Sequence, residues 1–319
     1  MSTIDNILEE INKANSIVIL THENPDGDAI GTGLALYHAL KGYGKNPDII
    51  IPAYPKIFDC LPGVEEIKKE SSIEKYDLAI SVDCATIKLL NGFANYFENA
   101  KTKIVIDHHS TNTMYGDINF INPDSPACAQ IMLFILEQFN MEITKDIGNC
   151  ILAGIITDTG GFKYDGVNAE TFEFVAWLLN KGINVSKLYR QVMQIKTRPN
   201  FELHRIANNR LEFLEDGKVT FTYITREDEE KVGAGTGDYE GIVENGRDIE
   251  NVEVSIFIRE LDNGYCKVSL RSNEYVNVAD VCLMFGGGGH QKAAGIVMQG
   301  TIEQVKEKVL YQVKAQLKN

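Results

Sequence analysis

The stretch IVILTHENPDGDAIGTGLALYHAL, residues 17–40, contains the pattern that decides the fold. It opens with the apolar run Ile17–Leu20, which predicts a buried strand. A polar loop with one histidine and two aspartates follows, and then an apolar segment, residues 31–40, with the periodicity of a helix. A strand, a polar loop and a helix in this order predict an open α/β sheet, in which functional residues lie at the carboxyl ends of the strands.

The same alternation continues to about residue 185. Further buried strands are predicted at residues 48–51, 78–82 and 103–106, and helices at residues 127–139 and 147–157. We therefore predict a parallel-sheet domain over residues 1–185 and a helical linker over residues 186–210. Residues 211–319 contain two hairpin signatures, a glycine run and a final helix, which predict a smaller α/β domain with a mixed sheet.

Composition restricts the function classes. The 319 residues carry a formal net charge of −14, and the six cysteines form no CxxC pair. A reducing, cytoplasmic location is expected because the first residues do not resemble a signal peptide and no apolar run approaches the roughly 20 residues of a membrane span. The acidic charge opposes long nucleic acids, so a nucleic-acid substrate would be short. No basic track or aromatic stacking platform is recognisable.

Carboxylates and imidazoles follow the predicted strands and one helix. Each residue alone is typical of a turn or a cap, but together they would converge at one edge of a parallel sheet. They are His22, Asp26 and Asp28 after the first strand, Asp83, then Asp107, His108 and His109, and finally Asp158. Because carboxylates predominate and no thiolate accompanies them, the site favours Mn²⁺ or Mg²⁺ over structural zinc, and the imidazoles favour Mn²⁺.

The motifs His22-x-Asn-Pro-Asp-Gly-Asp28, Val82-Asp83, Asp107-His108-His109 and Asp158-Thr-Gly resemble the DHH phosphoesterase family. Arg271-Ser272 and the run Gly286–Gly289 with His290 are similar to the associated DHHA1 domain. Arg271 is placed at the end of a predicted edge strand. The two-domain layout resembles the NrnA-type branch of bifunctional oligoribonucleases and pAp phosphatases.

The resemblance implies a residue set and a reaction. His22, Asp26 and Asp83 would hold one ion, and Asp28, Asp83, His108 and Asp158 a second, with Mn²⁺ as the cofactor and Mg²⁺ or Co²⁺ as substitutes. Asp83, Asp107 and His109 would be catalytic, in a cleft between the domains. His109 would also contact substrate, together with Arg271, Ser272, Gly287, Gly288, Gly289 and His290. The implied activity converts short RNA to mononucleotides and pAp to AMP and phosphate.

Several alternatives stay open at this point. The same domains would suit a phosphodiesterase for cyclic di-AMP or pApA, and a catalytically dead nucleotide-binding protein is the non-enzymatic alternative. The glycine run speaks against a family II pyrophosphatase, and a RecJ-type exonuclease would extend further. The expected partners are short RNA or small nucleotides, without long duplex nucleic acid or a membrane, and the sequence leaves a homodimer open.

Overall fold

The computed structural model describes residues 2–164, 166–235 and 237–317. The chain divides into two compact units, the first ending at Ile195 and the second beginning at Lys196. Among the described residues no helix is long and apolar enough to cross a membrane. All six cysteines are free thiols, and only Cys60 among them is exposed.

The first unit contains a six-stranded sheet with helices between its strands. Its strands are β1 (Ile17–Leu20), β2 (Asp48–Ile50), β3 (Ile67–Lys68), β4 (Leu78–Val82), β5 (Thr102–Asp107) and β6 (Ile118–Ile121). Its helices are α1 (Thr3–Lys13), α2 (Gly27–Gly42), α3 (Ala94–Glu98), α4 (Cys128–Gln138), α5 (Lys145–Asp158), α6 (Ala169–Asn180) and α7 (Val185–Tyr189). Short 3₁₀ turns at Lys56–Cys60, Val64–Glu66 and Ile87–Phe93 and a π-helical turn at Arg190–Gln194 complete it.

All strand pairs of this sheet are parallel, in the order β3-β2-β1-β4-β5-β6. The parallel-sheet prediction is therefore confirmed. The strands β1 and β4 are fully buried, as expected when helices cover both faces of a parallel sheet. From β1 the chain adds strands β2 and β3 toward one edge of the sheet, and it then adds β4, β5 and β6 toward the other edge. The boundary between β1 and β4 is therefore a switch point, where open α/β sheets bind ligands.

The second unit contains a six-stranded mixed sheet, as predicted. Its strands are β7 (Glu212–Leu214), β8 (Val219–Ile224), β9 (Val254–Glu260), β10 (Tyr265–Ser272), β11 (Gly288–His290) and β12 (Ala293–Gln299), in the order β11-β12-β10-β9-β8-β7. Only β8 and β9 pair in parallel. Its helices are α8 (Arg198–Asn209), α9 (Arg226–Val232), α10 (Ile242–Arg247), α11 (Val278–Leu283) and α12 (Ile302–Leu317).

Both predicted hairpins form, because β7 pairs antiparallel with β8 and β9 with β10. One prediction about the second sheet is wrong. The strand that ends at Arg271 and Ser272 is not an edge strand, since β10 lies between β9 and β12. The edge is formed by β11, which contains the last two glycines of the glycine run and His290. The glycine run does not predict a strand, because glycines are unfavourable in strands.

Helices α2 and α5 pack closely through small residues. A Cβ atom added at Gly31 of α2 would overlap the backbone carbonyl oxygen of Cys150 in α5. A Cβ atom added at Gly154 of α5 would lie 2.7 Å from Oδ1 of Asp28 and 2.6 Å from Cβ of Ala129. The absence of side chains at these two positions therefore allows the first two turns of α2 to pack closely against α5.

Gly31→Ala should lower the free energy of unfolding by roughly 1–3 kcal/mol, because the obstacle is backbone and cannot rotate away. Gly42→Ala at the end of the same helix is the control, since a Cβ atom there meets nothing within 4 Å. The control should be neutral or gain up to about 1 kcal/mol. Chemical denaturation measures both, and equal stability of the two variants would contradict the close helix contact.

Candidate metal centre

Strand register brings the predicted residues together. Leu20 of β1 is paired with Ser81 of β4, and Val82 of β4 with Ile106 of β5. Two residues beyond Leu20 the chain reaches His22, which therefore lies beside Asp83, and Asp83 in turn lies beside Asp107. Three side chains that are far apart in sequence thus meet at the carboxyl edge of the sheet, at its switch point.

Asp83 is at the centre of this cluster. Its side chain is 2% exposed, and Oδ1 is a buried oxygen without a hydrogen-bond partner among the described residues. Its backbone has φ +51°, in the left-handed region that aspartate tolerates better than most residues. A buried carboxylate oxygen with nothing donating to it is costly unless a cation binds there.

His22 and Asp26 form one group with Asp83. One ligand atom from each of the three residues lies within 4.8 Å of the other two. His22 Nε2 is 3.9 Å from Asp83 Oδ2. Asp26 is the N-cap of α2, where its Oδ1 accepts hydrogen bonds from the backbone N–H groups of Asp28 and Ala29. The cap fixes the Asp26 carboxylate and leaves Oδ2 outside the capping contact.

Asp28, His108 and Asp158 form a second group with the same spacing, within 4.8 Å. His108 Nε2 is 3.4 Å from Asp158 Oδ2 and 3.5 Å from Asp83 Oδ1. His108 Nδ1 lies 3.1 Å from the carbonyl oxygen of Ser125, which selects the Nδ1–H tautomer and presents Nε2 to the carboxylates. Asp83 therefore contacts a member of each group.

Asp28 also holds the site to helix α4. Its two oxygens accept hydrogen bonds from the backbone N–H groups of Cys128 (2.5 Å) and Ala129 (2.8 Å), and from Thr32 Oγ1 at 3.1 Å. The N-cap of α4, Ala127, has no side chain that can cap the helix. Asp28 supplies that cap from α2, where its negative charge interacts favourably with the helix N-terminus.

His109 forms a third candidate group with Asp83 and His108, and it also belongs to a chain of hydrogen bonds. Its Nδ1 donates to Oδ1 of Asp107 at 2.7 Å, and Oδ2 of Asp107 accepts a hydrogen bond from Asn112 Nδ2 at 2.6 Å. His109 Nδ1 is also 3.7 Å from Asp83 Oδ1. Asp107, which is fully buried, thus orients the His109 ring beside the two groups.

The pKa values of the cluster respond to burial and to the crowding of like charges. Burial, and then the neighbouring Asp28 and Asp26, raise the pKa of Asp158 to about 9. Burial and the same neighbours raise the pKa of Asp83 well above its usual range. Burial also raises the pKa of Asp107, but hydrogen bonds from His109 and Asn112 outweigh it, so its pKa is below the ordinary value. The hydrogen bond to Asp107 raises the pKa of His109.

These features fit a divalent cation. The cluster holds four carboxylates and three imidazoles in overlapping groups, and no thiol belongs to any of them. Oxygen and imidazole donors suit Mn²⁺ and similar ions. A cation would neutralise the carboxylates that now repel one another and would contact the unpartnered Oδ1 of Asp83.

In the second unit, Arg271 and His290 lie in one row of the sheet. Arg271 and His290 are both register partners of Ala293, on either side of β12, so their side chains share one face about 10 Å apart. Arg271 Nε donates to Oε1 of Glu244 at 2.9 Å. Ser272 is 2% exposed and its hydroxyl has no partner among the described residues.

The glycines of this unit differ in what they require. A Cβ atom at Gly287 would lie 2.5 Å from the carbonyl oxygen of Gly295, and one at Gly289, where φ is +145°, would overlap β12. Packing within the sheet therefore explains why Gly287 and Gly289 are glycines, and no ligand is needed for this explanation. A Cβ atom at Gly288 would meet nothing within 4 Å, so Gly288 is the position at which a ligand could account for glycine.

Four supporting residues were not identified from the sequence. Asn112 and Ser125 orient Asp107 and His108, and Glu244 is the partner of Arg271. The buried carboxylate of Glu253 accepts hydrogen bonds from the backbone N–H groups of residues 274–276, which begin two residues after Ser272. Of the four, only Asn112 lies near a recognised motif, five residues after Asp107, and none of them has a spacing that marks it.

A metal-binding cluster at the switch point of a parallel sheet, followed by a mixed-sheet unit, defines the class: a two-domain α/β protein with a candidate divalent-metal centre. Residues 16–155 match the description "DHH family, N-terminal domain", and residues 216–319 match "DHHA1 domain". The bifunctional oligoribonuclease and PAP phosphatase NrnA of Thermus thermophilus is 31% identical over 322 aligned positions, covering 98% of this chain and 94% of that one.

Solved structures agree with this assignment. An exopolyphosphatase-related protein from Bacteroides fragilis has a TM-score of 0.92 and 30% identity, and covers 99% of this chain and 98% of its own. RecJ of Thermus thermophilus in complex with Mn²⁺ has a TM-score of 0.58 at 15% identity, covering 98% of this chain and 53% of RecJ, which shows a shared fold. The chain belongs to the DHH family of phosphoesterases and is therefore a hydrolase of phosphate esters.

Asp83→Asn should stabilise the metal-free protein at about pH 8 by roughly 1 kcal/mol or more, a rise of about 2–4 °C in Tm. A carboxyl whose pKa is raised in the folded state contributes its full stability only below its unfolded pKa, and that stability is lost as the pH rises through the folded pKa. The neutral amide escapes this loss, so the gain should shrink at about pH 5.

Thermal unfolding in a chelator and with Mn²⁺ tests this expectation. Mn²⁺ should raise the Tm of the wild type more than that of Asp83→Asn. Asp124→Asn, which changes an exposed aspartate, is the control and should behave as the wild type. A variant Asp83→Asn that is less stable than the wild type in chelator at both pH values would contradict the repulsion among these carboxylates.

Proposed function

We propose that this protein is a Mn²⁺-dependent phosphoesterase that converts short oligoribonucleotides to mononucleotides and pAp to AMP and phosphate. The observation that carries the proposal is Asp83. Its buried Oδ1 accepts no hydrogen bond from the described residues, and the Asp83 carboxylate lies within 4 Å of members of both groups of potential metal ligands. The substrates are proposed from the activity named for the Thermus relative, which aligns with 98% of this chain.

We assign His22, Asp26 and Asp83 to one ion and Asp28, Asp83, His108 and Asp158 to a second. The hydrogen bonds that Asp28 already accepts leave it the least lone-pair capacity of these ligands. Divalent ions, when bound, acidify water and neutralise phosphate charge during an in-line displacement. Mn²⁺ is favoured because both imidazole and carboxylate contribute to each group.

The chain's own proton donor is His109. Its Nδ1 is held by Asp107, so the other ring nitrogen, Nε2, is assigned to the leaving oxygen. The raised pKa of His109 favours the protonated ring that this role needs. Water oxygen bonds to phosphorus, the bond from phosphorus to the leaving oxygen breaks, that oxygen takes the proton from Nε2, and the water releases its proton to solvent.

The second unit is proposed to bind the rest of the substrate. Arg271 and His290 present positive or donor groups on one face of the sheet, and Gly288 leaves space for a phosphate to approach the backbone. Glu244 holds Arg271 in place without substrate, so a phosphate would compete with the Glu244 carboxylate for the guanidinium. Ser272, Gly287 and Gly289 complete the proposed binding set.

The remaining assignments follow from charge and thiol chemistry. The chain has 45 acidic and 31 basic residues, a balance that disfavours the binding of a long RNA strand along the surface. We therefore propose that the protein binds the end of a short RNA. Six free thiols support a reducing compartment, for which we propose the cytoplasm.

A substrate panel at fixed salt with Mn²⁺ tests the function. The panel contains pAp, pApA, RNA of two to five residues, a 24-residue RNA and cyclic di-AMP. We expect the highest kcat/KM for pAp and the short RNAs, with a steep fall beyond roughly a dozen nucleotides, because each additional phosphate faces an acidic surface. A 24-residue RNA degraded as fast as a trinucleotide would exclude end capture, and a preference for cyclic di-AMP would replace the proposed substrates.

Arg271→Ala and Gly288→Ala should separate substrate binding from the chemical step. Both should lower kcat/KM on pAp, about tenfold or more for Arg271→Ala, because binding energy away from the reacting phosphate is lost. Hydrolysis of a small artificial diester should survive in both variants. Gly286→Ala is unsuitable as a control because its φ is +86°, but Gly235→Ala, whose Cβ atom meets only Asp238 at 3.8 Å, is suitable. Equal losses on both substrates would assign these residues to structure alone.

A further inference from the structure

The turn that follows Asp158, the last residue of helix α5 and a member of the candidate metal centre, holds an exposed aromatic ring. Asp158 is the last residue of α5, and the carbonyl oxygen of Thr159 accepts hydrogen bonds from the backbone N–H groups of Lys163 (2.9 Å) and Tyr164 (3.1 Å). Thr159 Oγ1 accepts a hydrogen bond from the N–H of Phe162 and donates to Ile155. The backbone of Tyr164 is thus tied to the residue that follows Asp158.

The ring of Tyr164 lies with one face against the backbone of this turn. A Cβ atom added at Gly160 would lie 2.6 Å from Cε2 and 2.7 Å from Cε1 of the ring, with Cζ nearer still. Because the two Cε atoms are almost as close as Cζ, the added Cβ atom lies over the face of the ring and not beyond its edge. Gly160 also has φ +58°, so the turn and the ring both require glycine there.

The side chain of Tyr164 is nevertheless exposed. Tyr164 is 46% exposed although its ring is packed on Gly160 and its backbone is fixed by the turn. On the same turn and on helix α6, Phe162 and Phe172 pack with ring centroids 5.6 Å apart, and Phe172 is 53% exposed. An exposed aromatic ring that packs two residues from Asp158, a member of the carboxylate cluster, fits a ligand with both an aromatic and an anionic part.

We propose that Tyr164 is a stacking platform for the nucleobase of the nucleotide whose phosphate binds at the candidate metal centre. The inference rests on the proposed function, because it adds a base-binding position to the same site. The turn of residues 159–164 connects the two parts directly: Asp158 contributes a carboxylate at one end, and the ring packs over Gly160 two residues later.

Chemistry favours a base over other occupants. Every nucleobase has a π-face, so stacking on a tyrosine tolerates all four bases, which suits an enzyme that degrades RNA of any sequence. The ring is held in place before the ligand arrives, so little side-chain freedom is lost on binding. A substrate without an aromatic group, such as an inorganic phosphate chain, would gain nothing from the ring.

The test compares pAp with ribose 3′,5′-bisphosphate, which has the same two phosphates and no base. Wild type should hydrolyse pAp with a kcat/KM at least about tenfold above that for the abasic analogue. Tyr164→Ala should remove most of this difference by lowering the value for pAp alone, and Tyr164→Phe should restore it because the π-face is kept.

Tyr43→Ala is the matched control. Tyr43 is 42% exposed and lies at the C-cap of α2, at the other end of a 16-residue helix whose first turn carries Asp28, about 24 Å away. It should leave both rates unchanged. Thermal unfolding and light scattering of each variant record stability and oligomeric state.

Two results would overturn the inference while leaving the proposed function intact. One is wild-type hydrolysis of pAp and the abasic analogue at equal rates. The other is an equal loss on both substrates in Tyr164→Ala, including a loss that accompanies a changed oligomeric state, which would assign the ring to packing or to a protein contact. A third result would refute the proposed function itself: the wild type hydrolyses neither pAp nor the abasic analogue but cleaves another phosphate ester. The proposed base-stacking role of Tyr164 would then be refuted as well.

Discussion

The placement of four carboxylates in one partly buried cluster is the constraint on which the rest of this structure depends. Asp83 is 2% exposed, and burial and the charges of Asp28, Asp26 and Asp158 raise its pKa well above the ordinary range. Without a cation these groups repel one another, and the folded chain must protonate some of them or lose stability. This repulsion lowers stability in the metal-free state, and the same arrangement would favour the binding of divalent ions. The imidazoles of His22 and His108 fit this explanation, since neutral imidazole adds ligands without adding negative charge.

The parallel sheet makes this arrangement possible because it brings strand ends together irrespective of their separation in sequence. β1, β4 and β5 run side by side in register, so His22, Asp83 and Asp107 lie next to one another. Gly31 and Gly154 then allow α2 and α5 to approach until Asp28 and Asp158 join the cluster. Asp28 links this pair to α4 by accepting two backbone hydrogen bonds. Each ligand is therefore held by an element that packs in the core of the first unit.

Much of this arrangement could be predicted from the sequence, and the reasons are physical. Buried parallel strands read as continuous apolar runs, so β1, β2, β4 and β5 were recognised, whereas the two-residue β3 and the half-buried β6 carry no such signal. Polar residues directly after those runs identified the cluster. Residues that act through a hydrogen bond to a distant position in the chain, such as Ser125 and Glu244, have no spacing to reveal them. The edge strand β11 and the exposed face of Tyr164 depend on packing against Ala293–Ala294 and Gly160, which a pattern along the chain does not encode.

The central claim is that Asp83 joins two groups of ligands into one centre for a pair of ions, and metal stoichiometry tests it most directly. Calorimetric titration of Mn²⁺ into chelator-treated protein, with elemental analysis after dialysis, should give two ions per chain for the wild type. Asp83→Asn should weaken the binding of both ions, because the shared carboxylate serves each group. His22→Ala should weaken the binding of only one ion. A wild type that binds a single ion, or an Asp83→Asn variant that retains two ions at unchanged affinity, would contradict the account.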